Sequence, residues 1–490
     1  MTGIFSFTGA FSQKTGIFDS SSDVGEILHP GNMSYDATTG EYVVSGSGDN
    51  IWFAKDDFYF VWKKMKGDFL LQARGHLLGK GSAEHRKFGW MVRSSLDSSA
   101  PMVAAAIHGD GLTSLQFRAQ AHGSVVEERF TISAPDVIQL ERKGDRYIMS
   151  VAHFGEPFVT QQVVQSAPGN EVYVGLFICS HDKDLIEKAS FDNVRIIVPA
   201  KDNFVPYRDY IGSNVETMDV FTGRREVRYT SPESLQAPNW TPDGKGLVYN
   251  CGGLMYRINL KDPVPEKIPT GAVTSNNNDH VLSFSGKMLG LSAASTDGKY
   301  NSVIYTVATG GGIPTQITPM GPSYLHGWSP DGRWLTFTGQ RNGEFDIYRI
   351  PSAGGSEIRL TASPGLDDGP EYSPDGTYIY FNSVRSGSMQ LWRMRPDGSS
   401  PEQITRDEYN NWFAHISPDG KWIVFLSFMK DIRPDDHPFY KQVYLRMLPV
   451  QGGTPRIIAY LYGGQGSINT PSWSPDSRKI AFISNTDTTE

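Results

Sequence analysis

Trp328-Ser-Pro-Asp-Gly332 is one copy of a motif that returns through the second half of the 490-residue chain. Close copies are Trp240-Thr-Pro-Asp-Gly244, Tyr372-Ser-Pro-Asp-Gly376 and Ile416-Ser-Pro-Asp-Gly420. Trp473-Ser-Pro-Asp-Ser477 is a variant, and Leu282-Ser-Phe-Ser-Gly286 is a degenerate copy. Successive copies stand about 44 residues apart, with one longer final interval. That is the period of a four-stranded propeller blade.

Strand patterns surround each copy. A second strand follows the motif, as in Arg333-Trp-Leu-Thr-Phe337 and Lys421-Trp-Ile-Val-Phe425. A third follows, as in Asp346-Ile-Tyr-Arg-Ile350 and Gln390-Leu-Trp-Arg-Met394, then a Gly-rich turn such as Ala353-Gly-Gly355 and a fourth strand. Six motifs predict six blades. Only one strand, Lys479-Ile-Ala-Phe-Ile483, follows the last motif. Residues 216–228 carry a third-strand, turn, fourth-strand pattern with no motif before it, so they are expected to complete the last blade and close the ring, leaving no open sheet edge.

These repeats resemble the TolB-type six-bladed propeller, and the resemblance spans residues 213–490. Similar propellers occur in the Tol–Pal translocation protein, in prolyl-oligopeptidase-type peptidases and in oligogalacturonate-type lyases, so the fold alone does not decide function. A Gly-x-Ser-x-Gly elbow is absent from the sequence, which argues against a peptidase. The resemblance implies a periplasmic or extracellular setting. Residues 1–12 hold Ile4, Phe5, Phe7 and Ala10-Phe11-Ser12 without a basic start, which reads as a plain tail or the stub of an export signal, and cytoplasmic residence stays open.

Strand direction separates the two faces of the disc. The Ser-Pro-Asp-Gly and Gly-Gly turns share one face, where Pro, Asp and Gly serve the turn itself. Loops entering the first strands, and loops from second to third strands, share the other. That face carries Asp279, His280, Tyr324, His326, Asp367, Asp368, Asn411, His415, Gln465 and Asn469, together with Arg341, Arg385 and a long insertion, 429–441, that includes His437. Their hydroxyl, amide and carboxylate groups make them candidates for ligand binding. His280, His326 and His415 occupy similar positions near the axis and are the candidate catalytic residues. They admit three readings: a divalent metal site in the channel, general base and hydrogen bonds to a sugar or uronate, or polar lining of a wet channel. The lyase-type resemblance supports the metal reading, without a complete ligand set. Arg341 and Arg385 are either structural or carboxylate-binding, and Asp367-Asp368 are either structural or an acid–base pair.

The first domain, residues 14–198, shows no blade period. Its alternating segments, among them Phe58-Tyr-Phe-Val-Trp62, Phe88-Gly-Trp-Met-Val-Arg93 and Val172-Tyr-Val-Gly-Leu-Phe177, predict a two-sheet sandwich. Gly67-Asp-Phe69, Gly89-Trp-Met-Val-Arg93 and Ser190-Phe-Asp-Asn-Val-Arg-Ile196 give it a resemblance to the concanavalin-like (laminin-G-like) jelly roll, which implies carbohydrate binding in many members and scaffolding in others. Trp52, Trp62 and Trp90 are either core residues or platforms for a sugar ring. His85-Arg-Lys87 and His108-Gly-Asp110 either contact hydroxyls or carboxylates or form solvated loops. Residues 199–212 read as a linker.

The chain is thus expected to be all-β with two domains. Net charge is −8 with no basic block, arguing against a nucleic-acid partner. No apolar run is long enough for a transmembrane helix. Two cysteines, Cys179 and Cys251, exclude a disulfide framework. The expected partner is a glycan or oligosaccharide, recognised without catalysis or cleaved by a polysaccharide lyase or glycoside hydrolase activity. The third alternative is a scaffold for envelope proteins.

Overall fold

In the computed structural model, which describes residues 15–164 and 169–488, the repeated motif is a self-contained turn. Ser329 Oγ donates to Asp331 Oδ1 at 2.5 Å and accepts from Trp334 N at 2.9 Å, while Arg333 N donates to Asp331 Oδ1 at 3.0 Å. The same three bonds recur around Thr241, Ser373 and Ser474. Gly332 has φ of 72° and Gly376 of 70°, left-handed values that glycine adopts without steric cost. The motif's polar groups are therefore consumed locally. The tail at residues 1–12, with its export-signal reading, lies outside the described residues.

Five four-stranded antiparallel sheets follow one another, each in sequence order. Their first strands are Leu235–Trp240, Asn276–Leu282, Ser323–Trp328, Asp367–Tyr372 and Asn410–Ile416, in blades 1 to 5. Blade 6 mixes the two ends of this unit: Ser213–Asp219 pairs with Lys479–Asn485 on one side and Arg225–Ser231 on the other, and Trp473 bridges to Ile480. The repeat is thus a closed, six-bladed propeller. Glu216 and Arg225, both buried, form a forked ion pair inside this composite blade.

Apolar clusters lie between neighbouring blades. Val248 and Met255 of blade 1 meet Leu289 and Tyr305 of blade 2, and Val215 and Ile483 of blade 6 meet Leu235 and Tyr249 of blade 1. The motif tryptophans tie blades by hydrogen bonds: Trp328 Nε1 donates to Val281 O and Trp473 Nε1 to His415 O.

The N-terminal unit, residues 1–198, is built of two seven-stranded antiparallel sheets. Val61, Trp90, Val103 and Leu176 of one sheet share a core with Leu71, Leu140, Met149 and Phe191 of the other. Trp90 is fully enclosed, which makes it a core residue and removes it as a sugar platform. Trp62 is half-buried, donating to Ser22 Oγ and meeting Tyr173 edge to face. A buried carboxylate, Asp56, holds Arg93 at 2.6 Å and Arg118 at 2.5 Å, with all three side chains shut off from solvent.

Residues 199–212 are not a bare linker. They belong to the propeller unit, where Phe204 packs on Tyr440, Tyr207 and Tyr210 pack on Phe439, and Ile211 N donates to Tyr440 Oη at 3.1 Å. The aromatics of the 429–441 insertion, read from the sequence as a loop, are what hold this segment down.

Candidate functional site

In blades 1 to 5 each first strand carries a bulge, which chooses the residues presented at the axis. In blade 3 the bulge residue is His326, between Leu325, paired with Phe337, and Gly327, paired with Thr336. In blade 2, three residues, Asn277, Asn278 and Asp279, stand opposite Ser292 alone, and regular pairing resumes at His280. An extra residue on a bulged strand is unpaired and re-aims its side chain. Asp279 and His326 are therefore the counterparts, rather than His280 and His326.

These bulges bring Asp279, His326 and Asp368 together. His326 Nε2 lies 3.4 Å from Asp368 Oδ1 and 4.0 Å from Asp279 Oδ1. The insertion supplies a second imidazole, with His437 Nε2 3.9 Å from Asp368 Oδ2. His437 sits edge-on to Trp412 at 4.4 Å, and Phe413 stacks on His326 at 5.8 Å. Phe413 reaches this place through a φ of 58° in the blade 5 bulge. Gln465 Oε1 accepts from Asn469 Nδ2 at 2.9 Å and Gln465 Nε2 reaches Asn278 Oδ1 at 3.5 Å, so these amides form one network beside the carboxylates.

The two carboxylates are driven apart in acidity. Burial raises Asp279 to about 6 against the lowering charges of His326 and His437, with the Asp368 charge adding to the rise. Burial also acts upward on Asp368, but hydrogen bonding and charge from His326, the charge of His437 and the Thr338 hydroxyl outweigh it and hold that carboxyl below the ordinary range. His326 is opposed by burial yet raised overall by Asp279 and Asp368. Tyr324 is pushed up to about 12 by burial and then by the same two carboxylates. Tyr207, from the 199–212 segment, is raised by burial and then by the charges of Asp279, Asp436 and Asp368. Tyr207 itself is 68% exposed, its ring edge-on to Phe439 of the insertion.

Other expected site residues are placed elsewhere. His280 is fully buried with Nε2 3.4 Å from Val248 O, and burial depresses it to about 4. His415 lies between blades, Nδ1 2.6 Å from Glu371 Oε2 and Nε2 2.5 Å from Ile468 O. A one-residue offset in a strand reverses the face of a side chain, and His415 stands one residue nearer its motif than His326 does. Among the described residues, His280, His326 and His415 do not gather donor atoms into a metal-sized group, so they do not fit a metal in the channel. Arg341 forks onto Glu357 at 2.9 and 2.7 Å and donates to Pro322 O. Arg385 is held by Asp367 and Ser383, and Asp367 also accepts from Ser363. Asn411 spends its amide on Gln390, Thr405 and Asp407 and its carbonyl oxygen on Ser427. Their hydrogen-bonding capacity is spent inside the blades.

Tyr207, Phe413, Trp412, Asn278 and Thr338 were not singled out by the sequence reading. Trp412 and Asn278 each lie four residues before the first position of their blade's motif, the same place as Tyr324, Asp368 and Asn469. That offset was a usable signal. Tyr207 carried none, because nothing local says where the segment docks. On the same face a cleft of about 480 Å³ opens between Glu344 and Phe345, Leu366, Val384, and Pro434 and Asp435 of the insertion.

Comparison with known proteins agrees with this architecture. A family model for the TolB beta propeller domain matches residues 325–434. An uncharacterized protein of Agrobacterium fabrum is 46% identical over 272 residues, which is 55% of this chain and 92% of the relative. A solved structure from Agrobacterium tumefaciens assigned as TolB is 44% identical, covering 57% of this chain and all of its own, with a TM-score of 0.55. TolB from Acinetobacter baumannii is 21% identical over 56% of this chain and 61% of its own, with a TM-score of 0.32. Through its propeller, the chain belongs to the family of TolB-like β-propeller proteins.

Proposed function

We propose that this protein recognises a carbohydrate at the axial end of its propeller, through Asp279, Tyr324, His326, Asp368, His437, Gln465 and Asn469. The observation that carries the reading is the placement of His326 between two buried carboxylates, 3.4 and 4.0 Å away, with an amide network and an aromatic wall beside it. Such a mix of fixed donors, acceptors and ring faces suits a ligand with many hydroxyls. The N-terminal sandwich, in this reading, is a concanavalin-like jelly roll that takes part in glycan use in the periplasm or outside the cell. Its two seven-stranded sheets support that assignment.

A glycan array with the purified protein tests this proposal, followed by titration of any hit against His326→Ala and Asp368→Asn. Binding weakened tenfold or more in both variants is the expected result. Silence across neutral and acidic glycans sinks the proposal.

Cleavage is the second reading, favoured by the opposed shifts of Asp279 and Asp368. Two carboxyls pushed apart in acidity are the arrangement in which one donates a proton while the other stays ionised. Product analysis by mass spectrometry on the array hits separates the readings, since recognition alone leaves the glycan intact.

A further inference from the structure

Outside the propeller, three neighbouring strands of one sheet in the N-terminal unit bring histidines to the same end. Lys87–Arg93 pairs with Met102–His108, placing Lys87 opposite His108, and with Glu171–Cys179, placing Cys179 opposite Lys87. His85 therefore stands just before one strand, His108 and Asp110 at the end of the next, and His181 just after the third. His85 and His108 rings are 5.8 Å apart, His85 and His181 rings 5.5 Å apart, and His85 Nδ1 is 3.8 Å from Asp110 Oδ2.

The loops that carry these groups are fixed. Asp110 N donates to Glu84 O and Gly109 N to Arg86 O, stapling the two turns. Arg86 is pinned by a buried ion pair with Glu187 at 2.6 Å. A Cβ on Gly109 would meet the Arg86 side chain at 2.7 Å, so the glycine permits the close approach. Asp110 Oδ1 is occupied by Leu112 N, which leaves Oδ2 turned towards His85.

One donor atom each from His85, His108 and Asp110 lies within 4.8 Å of the others. His108 is 94% buried, from its 6% exposure, and its Nδ1 has no hydrogen-bond partner; His181 Nδ1 is buried without one as well. Leaving a buried polar atom unpaired is unfavourable, and a bound cation would satisfy it. Lys87, a cation nearby, directs its ammonium to Asn50 Oδ1 and Ile51 O.

We propose that His85, His108 and Asp110 form a site for a divalent transition metal, with Zn²⁺ the best fit. Two imidazoles and one carboxylate are a borderline-soft donor set that suits Zn²⁺ over Ca²⁺ or Mg²⁺, which prefer all-oxygen shells. His85 is the most solvent-open of the three, its side chain 54% exposed, and gives the ion an entry path.

The test uses the full chain, untagged, stripped with chelator and titrated with ZnCl₂ by calorimetry, with metal content read by elemental analysis. His85→Ala and Asp110→Asn are the variants of choice because both positions are partly exposed, and circular dichroism checks their fold. The wild type is expected to bind one equivalent of Zn²⁺, and each variant to bind at least tenfold more weakly. No binding by the wild type, or equal binding by folded variants, overturns the proposal. Ca²⁺ binding as tight as Zn²⁺ binding also overturns it.

Discussion

His326 Nε2 stands 3.4 Å from Asp368 Oδ1, the oxygen that also accepts from Thr338 Oγ1 at 2.6 Å and from Gly369 N at 2.7 Å. The carboxylate is thus fixed before it meets the imidazole, and its charge favours the protonated ring. Asp368→Asn is expected to lower the pKa of His326, because the hydrogen bond and charge of Asp368 both hold it up. Titration of the ring resonances by NMR in wild type and variant measures it. An unchanged titration means that Asp279 alone sets the state of His326.

Asp279 carries a pH-dependent cost. Its folded value, about 6, lies above the ordinary 3.8. A raised carboxylate contributes stability below pH 3.8 and loses it as pH rises through 6. Asp279→Asn should therefore stabilise the fold more at pH 7.5 than at pH 4.5, by about 2 kcal/mol, since part of the cost is already present above pH 3.8. Thermal melts of both proteins at the two pH values give the comparison. An equal effect at both would show that His326 and His437 fully compensate the charge.

Truncation of His280 and of His326 should differ in its effect on binding. His280 is enclosed beside Val248, so His280→Ala leaves a cavity and is expected to cost about 2–4 kcal/mol. Glycan affinity of the folded fraction should stay unchanged. His326→Ala strands the buried Asp279 and Asp368 and should cost stability as well, but it should also weaken binding by the folded fraction. Urea melts paired with binding isotherms distinguish the two outcomes.

His415 and Glu371 join adjacent blades through a 2.6 Å contact, and Ile416 N also donates to Glu371. Removing one partner of a buried pair strands the other, at about 3–5 kcal/mol. His415→Ala is expected to show that loss in equilibrium unfolding. A loss below about 1 kcal/mol would mean that water enters and solvates Glu371.

In the sandwich, Asp56 serves Arg93 and Arg118 at once. Asp56→Ala leaves two buried guanidinium groups without a counter-ion and should cost at least about 3–5 kcal/mol. Limited proteolysis and calorimetry would register it as loss of the N-terminal unit's transition while the propeller's remains.

The sequence by itself determined the propeller, because its turn chemistry is local. Ser, Pro, Asp and Gly satisfy one another within a few residues, so six copies at one period specify six blades, and the orphaned strand pattern at 216–228 specified their closure. Position along the chain also told which face carries the irregular loops, and Asp279, Tyr324, His326, Asp368, Gln465 and Asn469 were legible from that alone. Tertiary structure decided which of those side chains meet. Side chains alternate with a period of two, so a single extra residue in a bulge exchanges the channel face for the blade interior. The blade 2 bulge holds one residue more than the others, which sends Asp279 to His326 and buries His280. His415, one residue out of step, became a tie between blades. Docking of the 199–212 segment on the 429–441 insertion depends on aromatic contacts between segments more than 200 residues apart, and no local pattern in the chain encodes that distance.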